Sequence, residues 1–193
     1  LQLLGEFNAY NAMAAIGVAT SQGVPLSVSK KALEAMIGIP GRMEQIVSDP
    51  FKVIVDYAFT PAALEKVYTA LKSDTGNLVC VVSGTGGGRD RWKRPVLGKI
   101  AATHCNTVIV TNEDPYEEDP WQIINQVATG VGAKAEKILD RREAIQKALL
   151  KASPGDTVVI TGKGSEDSIQ IAGGKKIPWD DRVVAREELE KIS

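Results

Sequence analysis

The chain has 193 residues, of which 44% are apolar, and its 23 basic and 24 acidic residues give a net charge of −1. This balance argues against a nucleic-acid or membrane-surface binder, because both need a concentrated basic surface. No apolar run is long enough to span a membrane and no signal-peptide pattern opens the sequence, so we expect a cytoplasmic globular protein.

The first part of the chain predicts three helices and one strand, in the order helix 7–22, helix 27–37, strand 52–58 and helix 61–73. Ser27 or Ser29 is the expected N-cap of the second helix, and Thr60 that of the third. The segment 72–77 (KSDTGN) has the composition of a linker. We therefore predict a domain boundary there, which divides the chain into 1–74 and 75–193.

After the boundary, strands and helices alternate regularly. The pattern predicts strands 78–83, 107–111, 135–139 and 157–161, helices 94–104, 120–131, 140–152 and 181–191, and a hairpin edge at 175–178. Apolar strands separated by amphipathic helices are typical of an α/β fold, with a parallel sheet covered on both faces. Ligands of such sheets bind beyond the carboxyl ends of the strands. Three strand ends carry unusual chemistry, at 83–90, 112–116 and 162–167, and we expect them to converge on one crevice.

A glycine-rich loop follows the strand at 78–83. Four glycines occur within five positions, and charged residues follow them at once. Glycine permits positive φ and close ligand approach, and arginine can grip a carboxylate or phosphate with two hydrogen bonds, so the loop predicts an acidic ligand. Arg91 and Lys93 are interpreted as a solvated helix face. The loop departs from the dinucleotide fingerprint, and the P-loop motif G-x-x-x-x-G-K-[ST] occurs nowhere in the chain.

The two cysteines, Cys80 in an apolar strand and Cys105 near a helix end, have no metal-binding spacing. They predict buried thiols in a reducing compartment.

Seven motifs, taken in order, resemble the Mur ligases, and among them the UDP-N-acetylmuramyl-tripeptide synthetases. They are GEFNAYNAMAA at 5–15, PGRME at 40–44, VDYAFTPAAL at 55–64, GGGRDRWKRPVLG at 86–98, NEDPYEEDP at 112–120, TGKGSED at 161–167 and WDDRVVAREEL at 179–189. The resemblance implies a Rossmann-like parallel-sheet C-terminal domain, preceded by the C-terminal fragment of a P-loop-type ATPase domain. Residues 1–74 would be that fragment and residues 75–193 the amino-acid-binding domain.

The resemblance also implies a reaction. Members of the family use ATP and Mg²⁺ to convert a carboxylate of UDP-MurNAc-L-Ala-D-Glu into an acyl phosphate, which the amine of a free amino acid then attacks. Asn8, Asn11 and Arg42 fall where the family contacts the nucleotide, and Asp56 falls where it contacts the ribose. From the residues alone, the two asparagines could equally cap or pack, and Asp56 could form an ion pair or a cap.

For the amino-acid substrate, Arg89 matches the arginine that holds the α-carboxylate. Five further residues match positions around the side-chain end of that substrate, namely Glu113, Asp114, Tyr116, Gly162 and Glu166. Glu166 could instead be an acid at a helix start. No residue of this sequence matches a catalytic group, and none matches a metal ligand.

The sequence departs from the family pattern in three ways. The P-loop and the Mg²⁺ ligands are missing, so ATP and Mg²⁺ would be bound largely outside this chain, which we expect to be inactive alone. Phe59 replaces a histidine of the family. Tyr116 replaces the arginine that grips the distal carboxylate of diaminopimelate, which would cost about 1.5–3 kcal/mol of binding. With Glu113 and Asp114 beside it, we expect the parent enzyme to add a basic, lysine-like diamino acid.

Two alternatives stay open. The chain could be a non-catalytic amino-acid-binding module or degenerate paralogue, or a free-standing dinucleotide-binding domain. In the ligase interpretation the partners are the UDP-MurNAc-dipeptide and a free amino acid, with no nucleic acid and no membrane. We expect the parent enzyme to be a monomer, whereas the fragment would expose apolar surface and could self-associate.

Overall fold

The computed structural model describes residues 1–72, 76–88 and 90–192, and within these residues the chain forms seven α-helices and eight β-strands. The helices are α1 Phe7–Ser21, α2 Leu26–Ala35, α3 Pro61–Leu71, α4 Lys93–His104, α5 Pro120–Val131, α6 Arg141–Lys151 and α7 Asp181–Ile192. The strands are β1 Glu44–Val47, β2 Lys52–Asp56, β3 Leu78–Ser83, β4 Thr107–Thr111, β5 Ala135–Lys137, β6 Thr157–Thr161, β7 Ser168–Ile171 and β8 Lys175–Pro178. Within the described part of the chain, no helix is long and apolar enough to cross a membrane.

Six strands form one sheet in the order β1-β2-β6-β3-β4-β5. The four pairs from β2 to β5 are parallel, and only the edge strand β1 is antiparallel. The sequence analysis missed β1, and it missed β7, with which β8 forms a separate antiparallel hairpin. The expected α/β fold with a mostly parallel sheet is confirmed.

The predicted domain boundary does not divide this sheet. β2, which was assigned to the fragment 1–74, pairs along its whole length with β6, from Lys52 opposite Thr157 to Asp56 opposite Thr161. Residues 73–75, where the boundary was placed, lie outside the described residues. The linker composition around them is as well suited to a surface connection from α3 to β3 within one domain as to a link between domains. Strand β2 therefore belongs to the same sheet as the strands that follow residue 74.

Each face of the sheet has its own hydrophobic core. On one face, Ile54 and Val82 pack with residues of α3, α4 and α5. On the other face, Val53 and Ile160 pack with residues of α6 and α7. Because successive strand residues point to opposite faces, strands that serve both cores must be apolar throughout, as the sequence pattern indicated.

The two N-terminal helices are mostly exposed. Among the fifteen residues of α1 only Asn8 is buried, and among the ten of α2 only Ser29 is buried. The helix α2 starts directly after Pro25, so the prediction that Ser27 or Ser29 caps it was wrong. Thr60 caps α3 as expected, because its side chain accepts a hydrogen bond from the amide of Ala63. Several large apolar side chains are exposed on these helices, namely Tyr10, Met13, Val18, Leu26 and Val28.

Cys80 of β3 and Cys105 at the end of α4 form a disulfide, with their Cα atoms 6.1 Å apart. The prediction of two buried thiols was therefore wrong, although both residues are buried in the core. Their separation of 25 residues gave no sign of a bond, because only the packing of α4 on β3 brings them together.

Candidate functional site

Two of the cavities near the carboxyl ends of the parallel strands hold most of the residues that the sequence analysis singled out. The first, here called the helix-side cavity, lies between α1, the end of β2 and α3 and has a volume of about 580 Å³. The second, here called the strand-end cavity, lies beyond β3, β4 and β6 and has a volume of about 250 Å³. Tyr57 and Phe59, in the loop between β2 and α3, line both cavities and separate them. The two binding spaces therefore share one wall.

The helix-side cavity brings together all four residues that the sequence analysis assigned to the nucleotide, Asn8, Asn11, Arg42 and Asp56. Asn8 is buried, and both polar atoms of its side chain form hydrogen bonds within the protein. Its amide donates to the carbonyl of Leu4 at 2.6 Å, and its oxygen accepts from the side-chain amide of Asn11 at 3.0 Å. Asn11 is exposed at the cavity, so Asn8 orients it rather than offering its own amide.

Asp56, at the end of β2, is 5% exposed and accepts two backbone hydrogen bonds of 2.7 Å, from Met43 and Ala58. Burial raises the pKa of this carboxyl group, while the two amide hydrogen bonds and the nearby Arg42 oppose that rise. Each carboxylate oxygen has a second acceptor position, so Asp56 can still accept from a ligand in the cavity. The guanidinium of Arg42 lies 4.1 Å from the centre of the Tyr57 ring, in a cation–π contact.

The strand-end cavity is formed by the three loops that the sequence analysis expected to converge. It collects five of the six residues that were assigned to the amino-acid substrate, Glu113, Asp114, Tyr116, Gly162 and Glu166. The sixth, Arg89, lies outside the described residues. Glu166 is in a turn closed by its amide and the carbonyl of Lys163, not at the start of a helix.

Glu113 is held against the strand ends by two hydroxyl groups. Ser83 donates to one carboxylate oxygen at 2.6 Å, and Thr85 donates to the other at 2.5 Å. Gly162 passes directly beside this carboxylate, with φ at +114°, and a Cβ there would lie 2.4 Å from Oε2 of Glu113. Only glycine fits this position, for both its conformation and the close approach.

Lys163 is a residue of the site that the sequence analysis missed. It is fully buried, and its ammonium donates to both oxygens of Asp114, at 2.8 and 3.0 Å, and to Glu166. The other oxygen of Glu166 accepts from the hydroxyl of Tyr57 at 2.8 Å. Burial and the hydrogen bond to Glu166 raise the pKa of Tyr57 to about 12. The ammonium of Lys163 therefore neutralises part of the negative charge that Asp114 and Glu166 give the cavity wall.

The glycine loop is held by a second arginine. Arg94 is fully buried and donates to Glu118, to Gln126 and to the carbonyl of Thr85. The same Glu118 accepts from the amide of Gly88, and its pKa falls to about 2, mainly because of the hydrogen bond from Arg94. The fork of Arg94 thus binds an internal carboxylate and is not available to a ligand.

Lys93 differs from its predicted place on a solvated face. It is 7% exposed, lines the strand-end cavity and lies 3.9 Å from Asp90. Arg91, by contrast, is exposed as expected and pairs with Glu118.

The charges of the strand-end cavity favour a cationic ligand. Four carboxylates line it, from Asp90, Glu113, Asp114 and Glu166. Positive charge opposes them from Lys93 in the wall, from Lys163 behind it and from the buried Arg141, which is itself paired with Asp181. An ammonium group is therefore the ligand group that this end of the cavity stabilises best.

Among the described residues, no group of three or more histidine, cysteine, aspartate or glutamate side chains is arranged to hold a metal ion.

The chain is similar in sequence, along nearly its whole length, to curated ligases. The chain is 45% identical to a UDP-N-acetylmuramyl-tripeptide synthetase of Roseiflexus sp. (strain RS-1), over 100% of this chain and 39% of that protein. It is 44% identical to a UDP-N-acetylmuramoyl-L-alanyl-D-glutamate--2,6-diaminopimelate ligase of Thermosynechococcus vestitus, over 98% of this chain and 39% of that one. The chain thus spans about two fifths of the length of these curated relatives.

Solved structures give the same result. A structure of UDP-N-acetylmuramoyl-L-alanyl-D-glutamate--2,6-diaminopimelate ligase matches 98% of this chain and 39% of its own, with a TM-score of 0.74 and 39% identity. A Mycobacterium tuberculosis folylpolyglutamate synthase complexed with ADP and AMPPCP matches 84% of this chain and 38% of its own, with a TM-score of 0.66 and 27% identity.

A family profile described as "Mur ligase, glutamate ligase domain" matches residues 41–164, which include all six strands of the main sheet. The match crosses residue 74 and begins three residues before β1. Together with the identity along the whole chain, it shows that the chain belongs to the Mur ligase family.

Proposed function

We propose that the chain is the amino-acid-adding part of an ATP-dependent amide ligase of peptidoglycan precursor synthesis. The observation that carries the proposal is the pair of adjacent cavities with a shared wall. One cavity gathers Asn8, Asn11, Arg42 and Asp56, and the other gathers five of the six residues assigned to the amino acid. A reaction that joins an activated carboxylate to an amine needs nucleotide and amino acid side by side, as this arrangement provides.

We propose the base and ribose of ATP as the occupant of the helix-side cavity. Its wall combines apolar surface from Phe7 and Val67 with the amide of Asn11, the carboxylate of Asp56 and the guanidinium of Arg42. When bound, ATP would supply the phosphoryl group that activates the acceptor carboxylate. The folylpolyglutamate synthase complexed with ADP and AMPPCP supports nucleotide use in this fold.

The phosphate end of ATP has no cradle in this sequence, because the P-loop motif is missing. We propose that the phosphates and Mg²⁺ are bound by parts of the full-length protein beyond the two fifths that this chain spans. The chain alone is accordingly expected to hydrolyse no ATP.

We propose a basic diamino acid, such as lysine or ornithine, as the occupant of the strand-end cavity. Arg89 would hold its α-carboxylate, and the acidic end beside Glu113 would hold its distal ammonium. Lys163 already balances part of the charge of Asp114 and Glu166, yet the carboxylates of the described cavity still outnumber the ammonium groups. Tyr116, which lines the cavity, offers no positive charge to a distal carboxylate such as that of diaminopimelate.

The test is a ligation assay with the full-length protein, the dipeptide acceptor UDP-MurNAc-L-Ala-D-Glu, ATP and Mg²⁺. Lysine, ornithine and meso-diaminopimelate are compared by kcat/KM. We expect lysine or ornithine to exceed diaminopimelate by about tenfold or more, the lower end of the range for a charge-assisted pair. A preference for diaminopimelate, which the name of the Thermosynechococcus relative makes the natural competitor, would reject the substrate proposal and leave the ligase proposal intact.

A variant of this assay locates the specificity. Tyr116→Arg should raise kcat/KM for diaminopimelate relative to lysine, because it supplies a cation to the distal carboxylate. The matched control is Tyr10→Arg, on the exposed surface of α1, which should leave the ratio unchanged.

The missing P-loop motif favours a second candidate, a binding module that holds an amino acid without ligating it. Calorimetry on this chain with lysine, ornithine, diaminopimelate and NAD separates the candidates. Amino-acid binding here without ligation by the full-length protein would favour the module, and NAD binding would favour a dinucleotide-binding domain.

We also propose that α1 and α2 complete the preceding domain of the full-length protein. Their apolar side chains are exposed, and the family match begins only at residue 41. In a full-length monomer another domain would cover this surface, whereas in the isolated chain it offers a place for self-association.

A further inference from the structure

A buried arginine lies behind the strand-end cavity without lining it. Arg141 is the first residue of α6, and its side chain is 1% exposed. Its Nε and Nη2 atoms donate to the two carboxylate oxygens of Asp181, at 2.8 and 2.7 Å. The indole nitrogen of Trp179 donates to the same carboxylate at 2.8 Å. A two-point contact of this kind fixes the plane of the guanidinium.

The remaining hydrogen bonds of Arg141 hold the ends of three neighbouring strands. Nη2 donates to the carbonyl of Thr161, the last residue of β6, at 2.9 Å. Nη1 donates to the carbonyl of Asn112, directly after β4, at 3.1 Å and to the hydroxyl of Ser83, the last residue of β3, at 3.4 Å. One side chain therefore joins β3, β4 and β6 at the edge where the cavity opens.

Each of these contacts leads directly to the cavity wall. Asn112 precedes Glu113 and Thr161 precedes Gly162, while the hydroxyl of Ser83 donates a 2.6 Å hydrogen bond to Glu113. A Cβ on Gly162 would lie 2.4 Å from the Glu113 carboxylate, so backbone and carboxylate are packed closely. A shift of either strand end would consequently move the carboxylate.

A purely structural role for Arg141, joining α6 to α7, would need only the contact with Asp181. The three strand-end contacts are additional, and all lie on the cavity side. Burial lowers the pKa of Arg141, but attraction to Asp181, Glu113 and Asp114 more than reverses this effect, so the guanidinium stays charged.

We propose that Arg141, oriented by Asp181, is a positioning residue of the amino-acid site. It acts through Ser83 and the two strand-end carbonyls on the carboxylate of Glu113, which receives the distal ammonium of the incoming amino acid. Arg141 itself touches no substrate. This inference rests on the amino-acid site proposed above.

The test is steady-state ligation by the full-length enzyme with the variants Ser83→Ala and Arg141→Lys. Each should raise the KM for the amino acid about tenfold, the effect of losing one hydrogen bond to a charged group. The kcat and the KM for ATP should stay within about twofold, because the helix-side cavity does not depend on these contacts. The control is Arg142→Lys. This arginine is the sequence neighbour but is partly exposed and pairs with Glu187 and Glu188 of α7, so the change should alter none of the three constants.

Thermal unfolding is measured on every variant. A selective rise of the amino-acid KM in a folded Ser83→Ala enzyme supports the proposal, also where Arg141→Lys does not fold. An unchanged amino-acid KM in that variant, or an equal change of all three constants, overturns it. If the wild-type enzyme neither binds nor ligates any amino acid, the proposed function is rejected. That result comes from the wild-type enzyme alone, so it is distinguishable from a failure of the Arg141 proposal.

Discussion

At the scale of single residues, the carboxylates of Asp114 and Glu166 show that a neighbouring side chain can neutralise charge that the sequence suggests is free. In the sequence they are two acids in loops, and together they indicated a strongly acidic pocket. In the structure the ammonium of Lys163 lies between them. Since a buried lysine is retained only with such partners, the three residues form one unit whose net charge is about −1. The preference of the cavity for a cation then depends on Glu113 together with this unit.

Tyr57 gives a prediction at this scale. Its pKa is raised to about 12, mainly by burial and by its hydrogen bond to Glu166. Ultraviolet titration of phenolate in the wild type and in Tyr57→Phe should differ by one group that ionises near pH 12. Because the pKa is raised from 10.0 in the folded state, this group stabilises the fold fully below pH 10 and loses its contribution as the pH rises through 12.

The control is Tyr116→Phe, because the Tyr116 ring is only half-buried. Removing the hydroxyl of Tyr116 should leave the phenolate signal that titrates near pH 12 unchanged. A difference spectrum for Tyr57→Phe that titrates near pH 10 would contradict the hydrogen bond to Glu166.

At the scale of elements, two glycines at the crossing of α4 and α5 allow the backbones of these helices to pack in close contact. A Cβ on Gly98 would lie 2.0 Å from the carbonyl oxygen of Val127, and a Cβ on Gly130 would lie 1.9 Å from that of Pro95. The helix backbones are therefore in direct contact. Because α4 also carries Lys93 and Arg94 at its start, this contact positions both the cavity wall and the glycine loop.

The close crossing predicts the effect of adding one methyl group. Gly98→Ala should lower the free energy of unfolding by about 2–3 kcal/mol, because the backbone contact must open. The matched control is Gly17→Ala in the middle of α1, where nothing lies within 4 Å of the added Cβ. That change should raise stability by up to about 1 kcal/mol through helix propensity. Urea unfolding of the two variants measures both, and equal effects would contradict the crossing.

At the scale of the whole molecule, the sheet determines what can fold as a unit. Strand β2 lies between β1 and β6, and its residue Ile54 shares a core with Leu64 and Tyr68 of α3. Removing these elements would expose one edge of β6 and take apolar residues from both cores.

Two truncations test this arrangement. A chain that begins at residue 41 should unfold cooperatively, because it keeps the whole sheet. A chain that begins at residue 76, close to the boundary predicted from the linker composition, should show no cooperative transition, because it lacks β1, β2 and α3. Thermal unfolding followed by circular dichroism compares them. A cooperative transition in the shorter chain would support a domain boundary at residue 74.

Local sequence determined most of the elements. The limits of β3, β4, β6 and α5 agree with the prediction, because apolar β-branched runs and Pro-initiated helices are set by nearby residues. The glycine, acidic and basic residues after these strands predicted a shared crevice, because the carboxyl ends of parallel strands lie at one edge of a sheet. The motifs indicated the family, which the comparisons confirm.

Other features were decided only by the tertiary structure. The pairing of β2 with β6 joins residues about a hundred positions apart, and the bond between Cys80 and Cys105 depends on where α4 packs. The contacts of Lys163 and Arg141 depend on side-chain directions that a loop or a helix start does not reveal. The sequence by itself determined which chemical groups the strand ends carry. The fold determined which of those groups neutralise one another and which face a ligand, because charge pairing depends on distances that only long-range packing sets.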